Sequence, residues 1–287
     1  MANISVPQSL DSTVELNDGF KMPMFGLGVY KMEDDAECAE CVNVALSNGY
    51  KMIDTAEMYK NEEGVGRGLK KSGLKREDYF VVTKLMTFGH QPATNAFKQS
   101  LKKLGLEFVD LYLIHTPRSS KAKILDSYRA MIELQKKGLI RSIGVSNFGV
   151  KHLEILKEEG LPTPAVNQIE LHPFQHHKDI VEYCRANNIA VMGYSPLGKG
   201  KRLDDPDLLQ IANKYQKTVP ELCIRWSVQN GFITIPKSVN HQRIIDNTHC
   251  FDWSITDDDM RIILELPQWS CMSNGLRRVD STVFIWE

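Results

Sequence analysis

Eight short apolar runs follow one another along this chain at nearly constant intervals, and an amphipathic stretch follows most of them. The runs are FGLGV (25–29), MID (52–54), FVVTK (80–84), VDLYLIH (109–115), IRSIGV (140–145), AVNQIE (165–170), IAVMGYS (189–195) and FITIPK (232–237). Successive runs end about 25 to 31 residues apart, except for a longer last interval, and this step is close to the length of one strand plus one helix. Eight such units predict an α/β fold, the parallel (β/α)8 barrel of the TIM type.

The segments between the runs carry the spacing of amphipathic helices, and most of them close on Gly or Asn. The predicted helices include residues 35–48, 122–137, 150–159 and 179–187, with two more, 207–215 and 220–229, in the long last interval. Further helices are expected at residues 243–247 and from Thr256 onward, where a cap residue precedes three aspartates. The barrel therefore carries helices beyond the basic eight units.

The two ends of the chain lie outside the repeated pattern. The segment TVELNDGFKM alternates around Asp18 and Gly19, and Asp-Gly is a strong signal for a two-residue hairpin turn. We expect an N-terminal β-hairpin that closes the floor of the barrel. Residues 268–287 have no clear period, and we expect this C-terminal tail to pack over the active-site face.

The composition is that of an ordinary folded domain and excludes several classes of partner. The 287 residues are 42% hydrophobic and 25% charged, and we expect one barrel domain to span residues 1–287. A net charge of -1 provides no field that attracts nucleic acid or an anionic membrane. The first residues, MANISVPQSLDST, lack the basic and apolar regions of a signal peptide, and no later run is long enough to span a bilayer. These features predict a cytoplasmic monomer that acts on a small molecule.

The cysteines and histidines do not have the spacing of a disulfide framework or a metal site. Six cysteines are scattered through the chain, which favours reduced thiols. Cys38 and Cys41 form a C-x-x-C within a helical pattern, and a structural role is the better interpretation. His172, His176 and His177 have no Cys or carboxylate at ligand spacing, so we expect no metal.

A dinucleotide-binding domain of the Rossmann type is also disfavoured. Its G-x-G-x-x-G fingerprint does not occur, because GLGVY, GVGRG and GKGKR each miss the spacing.

Ionisable residues stand where three consecutive strands of the predicted barrel end. They are Asp54, Lys84 and His115, and Tyr59 follows Asp54 in the next loop. Polar residues at the carboxyl ends of barrel strands face the active site. A neighbouring ammonium can lower the pKa of a tyrosine, a carboxylate can hold that ammonium charged, and a histidine can hydrogen-bond a carbonyl oxygen. The set suits reduction of a carbonyl, in which a hydride reaches carbon and a proton reaches oxygen.

Each of these residues also has a structural explanation, as a helix cap, a rim charge, a core histidine or a packed ring. Three of them at adjacent strand ends, with the fourth in the next loop, favour catalysis. Two other functions remain open. Lys84 could form a Schiff base in an aldolase, although a neighbouring carboxylate would keep it protonated. A non-catalytic barrel that binds a nucleotide is the second alternative, because fold does not fix function.

Several segments resemble the aldo-keto reductases in order and spacing over nearly the whole chain. They are MIDTAEMYKNEEGVG, the lysine after VVT, LIHTP, GVSNF, VNQIELHP, YSPLG and ITIPKS. The chain is most similar to the microbial-type branch that includes prostaglandin F synthases and 2,5-diketo-gluconate reductases. The resemblance implies that Tyr59 is the general acid, assisted by Asp54, Lys84 and His115, and that a small carbonyl compound is the substrate.

The resemblance also implies an NADPH/NADP+ site. The implied ligands are Ser146, Asn147, Gln168 and Tyr194 at the nicotinamide, Ser195, Leu197 and Lys199 in the loop 195–200 over the pyrophosphate, and Lys237, Ser238, Arg243 and Asn247 at the 2′-phosphate and adenine. Two cations at the phosphate favour NADPH over NADH. Asp246 stands where the family often has glutamate, so the adenine contact on that side stays open.

The predicted substrate pocket departs from the family pattern. Thr116 and Met86 stand at positions where the family often has tryptophan, whereas Tyr30 keeps a bulky aromatic wall. We therefore expect a pocket that favours small, hydroxylated or sugar-derived aldehydes and α-keto aldehydes. Arg118, Arg277 and Arg278 could reach a carboxylate or a hydroxylated substrate, although a solvated surface charge is the better interpretation of each.

Overall fold

The computed structural model of the protein describes residues 6–271 and contains a parallel barrel preceded by a hairpin. The strands within these residues are β1 (Thr13–Glu15), β2 (Lys21–Pro23), β3 (Leu27–Gly28), β4 (Met52–Asp54), β5 (Phe80–Leu85), β6 (Val109–Ile114), β7 (Ile140–Ser146), β8 (Val166–Glu170), β9 (Ala190–Tyr194) and β10 (Ile233–Ile235). Strands β3 to β10 pair in chain order, each parallel to the next. The ring closes where Phe25 and Thr234 form a parallel bridge. The predicted (β/α)8 barrel is confirmed.

Helices surround the barrel at nearly the predicted positions. They are α1 (Asp35–Ser47), α2 (Glu62–Ser72), α3 (His90–Leu104), α4 (Lys121–Lys136), α5 (Val150–Glu158), α6 (Lys178–Ala186), α7 (Pro206–Lys214), α8 (Val219–Gln229), α9 (His241–Asp246) and α10 (Asp257–Glu265). Local sequence explains several starts, because Asp34, Asp205 and Thr256 each accept backbone N–H groups of the first helical turn. Thr218 does so with Glu221 as a full capping box. Among residues 6–271, no helix has both the length and the apolar composition needed to cross a membrane.

The N-terminal hairpin forms, but its turn differs from the prediction. Glu15 pairs with Lys21, and the backbone N–H of Leu16 donates to Phe20 O at 2.8 Å. The loop therefore has three residues, with Gly19 at a φ of 86° in the left-handed region, and the expected two-residue turn is wrong. A three-residue loop that ends in a left-handed residue is a common alternative connection between two hairpin strands.

The hairpin packs against the amino-terminal end of the barrel, as expected for a floor. Leu16 and Met22 belong to one buried cluster with barrel residues that include Met52, Phe80 and Leu111. A second, larger core lies between the strands and the helices. The six cysteines are free and buried, and Cys38 and Cys41 lie on the core side of α1, which agrees with a structural role.

Candidate active site

A cleft of about 1490 Å³ opens at the carboxyl ends of the barrel strands. Among the predicted site residues that the structure describes, all but Lys84 line its walls, and Lys84 lies beneath its floor with no exposed surface. The predicted residues that line it are Asp54, Tyr59, His115, Ser146, Asn147, Gln168, Tyr194, Ser195, Leu197, Lys199, Lys237, Ser238, Arg243, Asn247, Tyr30, Met86 and Thr116. The structure therefore brings into one cavity residues that lie more than 200 positions apart in the sequence.

Lys84 stands at the centre of the predicted catalytic group. Asp54 pairs with Val82 in the parallel register of β4 and β5, so Lys84, two residues further on, points to the same side of the sheet. The Lys84 ammonium donates to Asp54 Oδ1 at 2.6 Å, to the backbone carbonyl of Thr55 at 2.9 Å and to Tyr59 Oη at 3.3 Å. Its three N–H donors are thus directed at three acceptors.

Tyr59 is held by a 3-10 turn, Glu57–Tyr59, that the sequence pattern did not predict. The Glu57 carboxylate accepts the backbone N–H of Met86 at 2.7 Å and the hydroxyl of Thr87 at 2.5 Å, which ties the turn to the end of β5. Asn61, fully buried just after the turn, donates to the backbone carbonyl of Val29 at 2.8 Å. These polar residues fix the phenol in place without touching the reacting end of the cleft.

Burial dominates the electrostatics of Asp54 and Lys84. It raises the pKa of the Asp54 carboxyl and lowers the pKa of the Lys84 ammonium, and in each case the partner acts in the opposite direction. Each charge is therefore maintained by the other, because neither is stable alone in a dry environment.

The sequence predicts that Lys84 lowers the pKa of Tyr59, but the net shift of that pKa in the structure is upward. The pKa of Tyr59 lies well above 10, first because the phenol is buried and then because the Asp54 charge repels a phenolate. Tyr59 is consequently a fully protonated donor at physiological pH, and Lys84 is placed to stabilise the phenolate that forms after the proton leaves.

His115 is the third polar group beside Tyr59. Its ring lies edge-on to the Tyr59 ring, with centroids 5.5 Å apart. Burial, with a smaller contribution from the Lys84 charge, lowers the pKa of His115 to about 3. The imidazole is therefore neutral at physiological pH, and its Nδ1 has no hydrogen-bond partner among residues 6–271. A neutral imidazole can donate one hydrogen bond to a carbonyl oxygen.

Polar side chains at the ends of β7 and β8 form the floor beside this group. Ser146 Oγ donates to the backbone carbonyl of Gln168 at 2.9 Å, and Asn147 Nδ2 donates to the backbone carbonyl of His115 at 3.0 Å. Gln168 Nε2 donates to Asp54 Oδ2 at 2.8 Å. The sequence did not indicate this last contact, which gives Gln168 a second task of orienting Asp54.

The loop after β9 covers one side of the cleft. We call residues 195–202 the β9 loop. Tyr194, just before it, donates its hydroxyl to Asn147 Oδ1 at 2.8 Å. The Lys199 ammonium lies 5.8 Å from the centroid of the Tyr30 ring, across the cleft mouth. The loop thus reaches over the cavity and places the Lys199 ammonium at the cleft mouth.

Cations gather at the far end of the cleft, after β10. Lys237 and Arg243 are exposed there, Ser238 lies between them in sequence, and Asn247 is 92% buried at the end of α9. Amide donors at one end and paired cations at the other fit an elongated dinucleotide that carries an additional phosphate. The donor set of this cleft therefore suits NADPH.

The predicted substrate residues line the catalytic end of the same cavity. The Tyr30 ring packs on the Tyr59 ring, with centroids 5.0 Å apart. Thr116 is 7% exposed, and its hydroxyl has no partner among the residues that the structure describes. Arg118 also lines the cleft, whereas Arg277 and Arg278 lie outside the described residues, as does the tail beyond Cys271.

A buried cluster that sequence reasoning missed adjoins the cleft. Glu170, His172 and Cys271 place their ligand atoms within 4.8 Å of one another, although Cys271 is far away in sequence. The backbone N–H of Phe174 donates to His172 Nδ1 at 3.2 Å, which leaves the ring proton on Nε2 to bond Glu170 Oε1 at 2.8 Å. A metal-bound histidine normally donates its other ring N–H to an acceptor, and here that nitrogen faces a donor. The arrangement favours a hydrogen-bonded cluster.

Hydrogen bonds also explain the charge state of this cluster. Burial alone would raise the pKa of Glu170, but bonds from His172, Ser270 and Cys271 outweigh it and lower the pKa to about 2. Glu170 is therefore an ionised acceptor that joins the end of β8 to the start of the C-terminal tail.

Comparison with known proteins places this geometry in a family. Residues 24–267 match the model of the Aldo/keto reductase family. The chain is 46% identical over 257 residues to glyoxal reductase of Bacillus subtilis, covering 89% of this chain and 92% of that protein. It is 40% identical over 259 residues to methylglyoxal reductase DkgA of Escherichia coli K12, covering 90% and 94%. The solved structure of a Bombyx mori aldo-keto reductase in complex with NADP superposes with a TM-score of 0.86 at 35% identity, covering 94% of this chain and 96% of that one.

Proposed function

Since this chain belongs to the aldo/keto reductase family, an NADP-dependent oxidoreductase class that reduces carbonyls, we propose that it reduces small aldehydes, above all 2-oxoaldehydes, with Tyr59 as the proton donor. NADPH is the cofactor, in line with the NADP bound in the Bombyx mori relative. The assignment of individual residues to roles rests on their contacts in the cleft.

The observation that carries the proposal is the position of the Lys84 ammonium. It is fully buried and lies between a carboxylate at 2.6 Å and the phenol oxygen of Tyr59 at 3.3 Å. An ammonium beside a phenol stabilises the phenolate, and the effect is strong where water is excluded. The geometry is suited to a tyrosine that gives up its proton and then recovers it.

The reaction assigns one task to each side chain. When bound, NADPH supplies the hydride that adds to the carbonyl carbon. The carbonyl π bond breaks, and its electron pair moves to oxygen, which takes the proton from Tyr59 Oη to complete the alcohol. Lys84 stabilises the resulting Tyr59 phenolate, and solvent returns the proton. His115 is neutral and donates a hydrogen bond that holds the carbonyl oxygen beside Tyr59.

The two alternative functions agree less well with the geometry. A Schiff-base aldolase needs a free amine, but the Lys84 nitrogen donates to Asp54, to Thr55 and to Tyr59. A non-catalytic nucleotide-binding barrel does not require a buried ion pair beneath a phenol. Such a pair is costly to bury, so its place under the cleft favours a catalytic task.

The walls of the pocket support a small, polar substrate. Met86 and Thr116 leave room where larger rings would confine the cavity, and the Thr116 hydroxyl has no partner among residues 6–271. An unpartnered hydroxyl in a nearly buried wall favours a substrate that carries an oxygen atom on the carbon next to its aldehyde group. Glyoxal and methylglyoxal have this feature, and two relatives carry the names of their reductases. Sugar-derived aldehydes also carry an oxygen atom, as a hydroxyl, on the carbon next to the aldehyde group.

A panel of carbonyl compounds tests the proposal with the wild-type protein. NADPH oxidation is followed by absorbance with methylglyoxal, glyceraldehyde, butanal and a bulky aromatic ketone. We expect turnover, with kcat/KM highest for methylglyoxal and glyceraldehyde. NADPH binding without turnover on any carbonyl would favour the binding-module alternative. Carbon–carbon bond cleavage that needs no NADPH would favour the aldolase.

Thr116→Trp tests the substrate preference directly. We expect the ratio of kcat/KM for glyceraldehyde to that for butanal to fall several-fold, because the hydroxyl is lost and the pocket shrinks. Each lost contact is expected to change the difference in activation free energy between the two substrates by about 1–3 kcal/mol. Thr116→Val, which removes only the hydroxyl, is the matched control for pocket size. A ratio that stays the same in both variants would show that Thr116 does not select the substrate.

We also propose that the protein acts as a monomer in the cytoplasm. Its six free, buried cysteines suit a reducing compartment, and its net charge of -1 gives no basis for attraction to nucleic acid or anionic lipid. Light scattering coupled to size exclusion tests the monomer, for which a mass near 32.6 kDa is expected. A mass of twice that value would contradict it.

A further inference from the structure

A short segment at the start of the C-terminal tail connects two loops that border the cleft. We call residues 268–271 the C-terminal strap. On one side it binds the end of β8, where Ser270 Oγ donates to Glu170 Oε2 at 2.7 Å and the Cys271 N–H donates to Glu170 Oε1 at 2.5 Å. The Trp269 N–H also donates to the Phe174 carbonyl at 2.5 Å. This side of the strap is therefore firmly anchored, and Glu170 is its main acceptor.

The other side of the strap lies against the β9 loop. The Lys201 ammonium donates to the Cys271 carbonyl at 3.5 Å and lies 5.4 Å from the centroid of the Trp269 ring. A methyl group added at Gly198 would lie 3.7 Å from the same ring, so the loop backbone is in close reach of it. The strap thus contacts the loop at its middle and near its end.

The backbone of the β9 loop is unusual for its sequence. Ser195 and Lys199 have φ values of 54° and 57°, and Gly198 and Gly200 are also left-handed. Glycine adopts this region freely, but the two side-chain-bearing residues do not. Such conformations persist when surrounding structure holds them in place. The strap is the neighbouring segment whose contacts span this loop.

We propose that the C-terminal strap holds the β9 loop closed over the bound cofactor, and that Glu170 is the residue that positions the strap. The inference deepens the proposed function, because it takes the β9 loop as the cover of the cofactor pyrophosphate. Loosening the strap leaves the catalytic group intact and lets the loop open more often. Its main effect is on the rate at which NADPH leaves the protein.

Trp269→Ala and Lys201→Met test the proposal, because neither side chain lines the cleft. NADPH release is measured by stopped-flow, from the fluorescence of NADPH itself, with excess NADP+ added to prevent rebinding. We expect release to be faster by about tenfold in either variant, with KM for the carbonyl at saturating NADPH unchanged. The double variant is expected to be little faster than either single variant, because both changes disconnect the same strap from the loop.

Two variants of Glu170 separate positioning from a general loss of structure. Glu170→Ala removes all three bonds and is expected to behave like Trp269→Ala. Glu170→Gln is expected to retain near wild-type release, because its amide oxygen can accept from His172 and Cys271 while its amide nitrogen donates to the Ser270 hydroxyl. Trp253→Ala is the matched control, since it deletes a ring that packs on Tyr215.

The outcomes distinguish this inference from the proposed function. If the wild type binds NADPH and reduces carbonyls but Trp269→Ala and Lys201→Met release NADPH at the wild-type rate, the strap proposal is wrong. Equal acceleration in Trp253→Ala would also contradict it, because the effect would then be general. If the wild type binds no NADPH, the proposed function itself fails.

Discussion

The two ends of the barrel use the same strands for opposite purposes. At the amino-terminal end, Leu16 and Met22 of the hairpin meet Met52 and Phe80 in a dry apolar cluster. At the carboxyl end, an ion pair, a neutral histidine and a high-pKa phenol surround an open cleft. The first arrangement gains stability from burial of apolar surface, whereas the second buries charge at a cost.

The contrast arises within single strands. Strand β4 places Met52 at the hairpin end of the barrel, which we call the barrel floor, and Asp54 at the cleft end, which we call the mouth. Strand β5 likewise places Phe80 at the barrel floor and Lys84 just beneath the cleft at the mouth. Substitutions at the floor should therefore change stability and spare turnover. Substitutions at the mouth should change turnover first.

The largest expected effect is at the mouth, in Lys84→Met. The methionine keeps most of the side-chain volume but removes the charge beside Tyr59 and leaves Asp54 buried without its partner. We expect kcat/KM to fall by about 10²–10⁴ and the free energy of unfolding to fall by about 3–5 kcal/mol. Steady-state kinetics and urea unfolding measure the two effects. Lys98→Met, at an exposed site on α3, is the control. Equal effects in both variants would show that they do not depend on the position of Lys84 beneath the cleft.

At the floor, Met22→Ala should affect stability alone. Met22 is completely buried beneath the barrel, and truncation of such a side chain costs about 2–5 kcal/mol. We expect a lower melting temperature and an unchanged kcat at temperatures where the variant is folded. A large loss of kcat in the folded variant would mean that the two ends are not independent.

A smaller effect is expected at the far end of the cleft, where the cations are exposed. The double variant Lys237→Ala/Arg243→Ala should weaken NADPH binding by about 10- to 100-fold and NADH binding by much less, because charge-assisted bonds to the 2′-phosphate are lost. Fluorescence titration with both nucleotides measures the difference. Equal weakening for the two nucleotides would show that these cations do not recognise that phosphate.

Much of the fold could be predicted because barrel geometry repeats along the chain. The spacing of the apolar runs locates the strands. Where a run ends in an ionisable residue, as at Asp54, Lys84 and His115, that residue falls at the cleft end of the barrel. The resemblance to a family added the residues of the cofactor side, and they line the same cleft.

Other features depend on contacts that no local pattern encodes. The bond between Gln168 and Asp54 joins β8 to β4 across the barrel, and Glu170 meets Cys271 from the far end of the chain. The raised pKa of Tyr59 was also missed, because it depends on burial and on the geometry of Asp54. A sequence shows which groups are present but not how dry their surroundings are.

The central claim is that Tyr59 delivers the proton at the mouth of the barrel, and Tyr59→Phe tests it most directly. Single-turnover oxidation of prebound NADPH by methylglyoxal is compared in the two proteins, together with NADPH affinity and melting temperature. We expect a single-turnover rate lower by about 10²–10⁴ in Tyr59→Phe, with NADPH affinity and melting temperature nearly unchanged, because only the proton donor is lost. A variant that turns over at the wild-type rate would contradict the account.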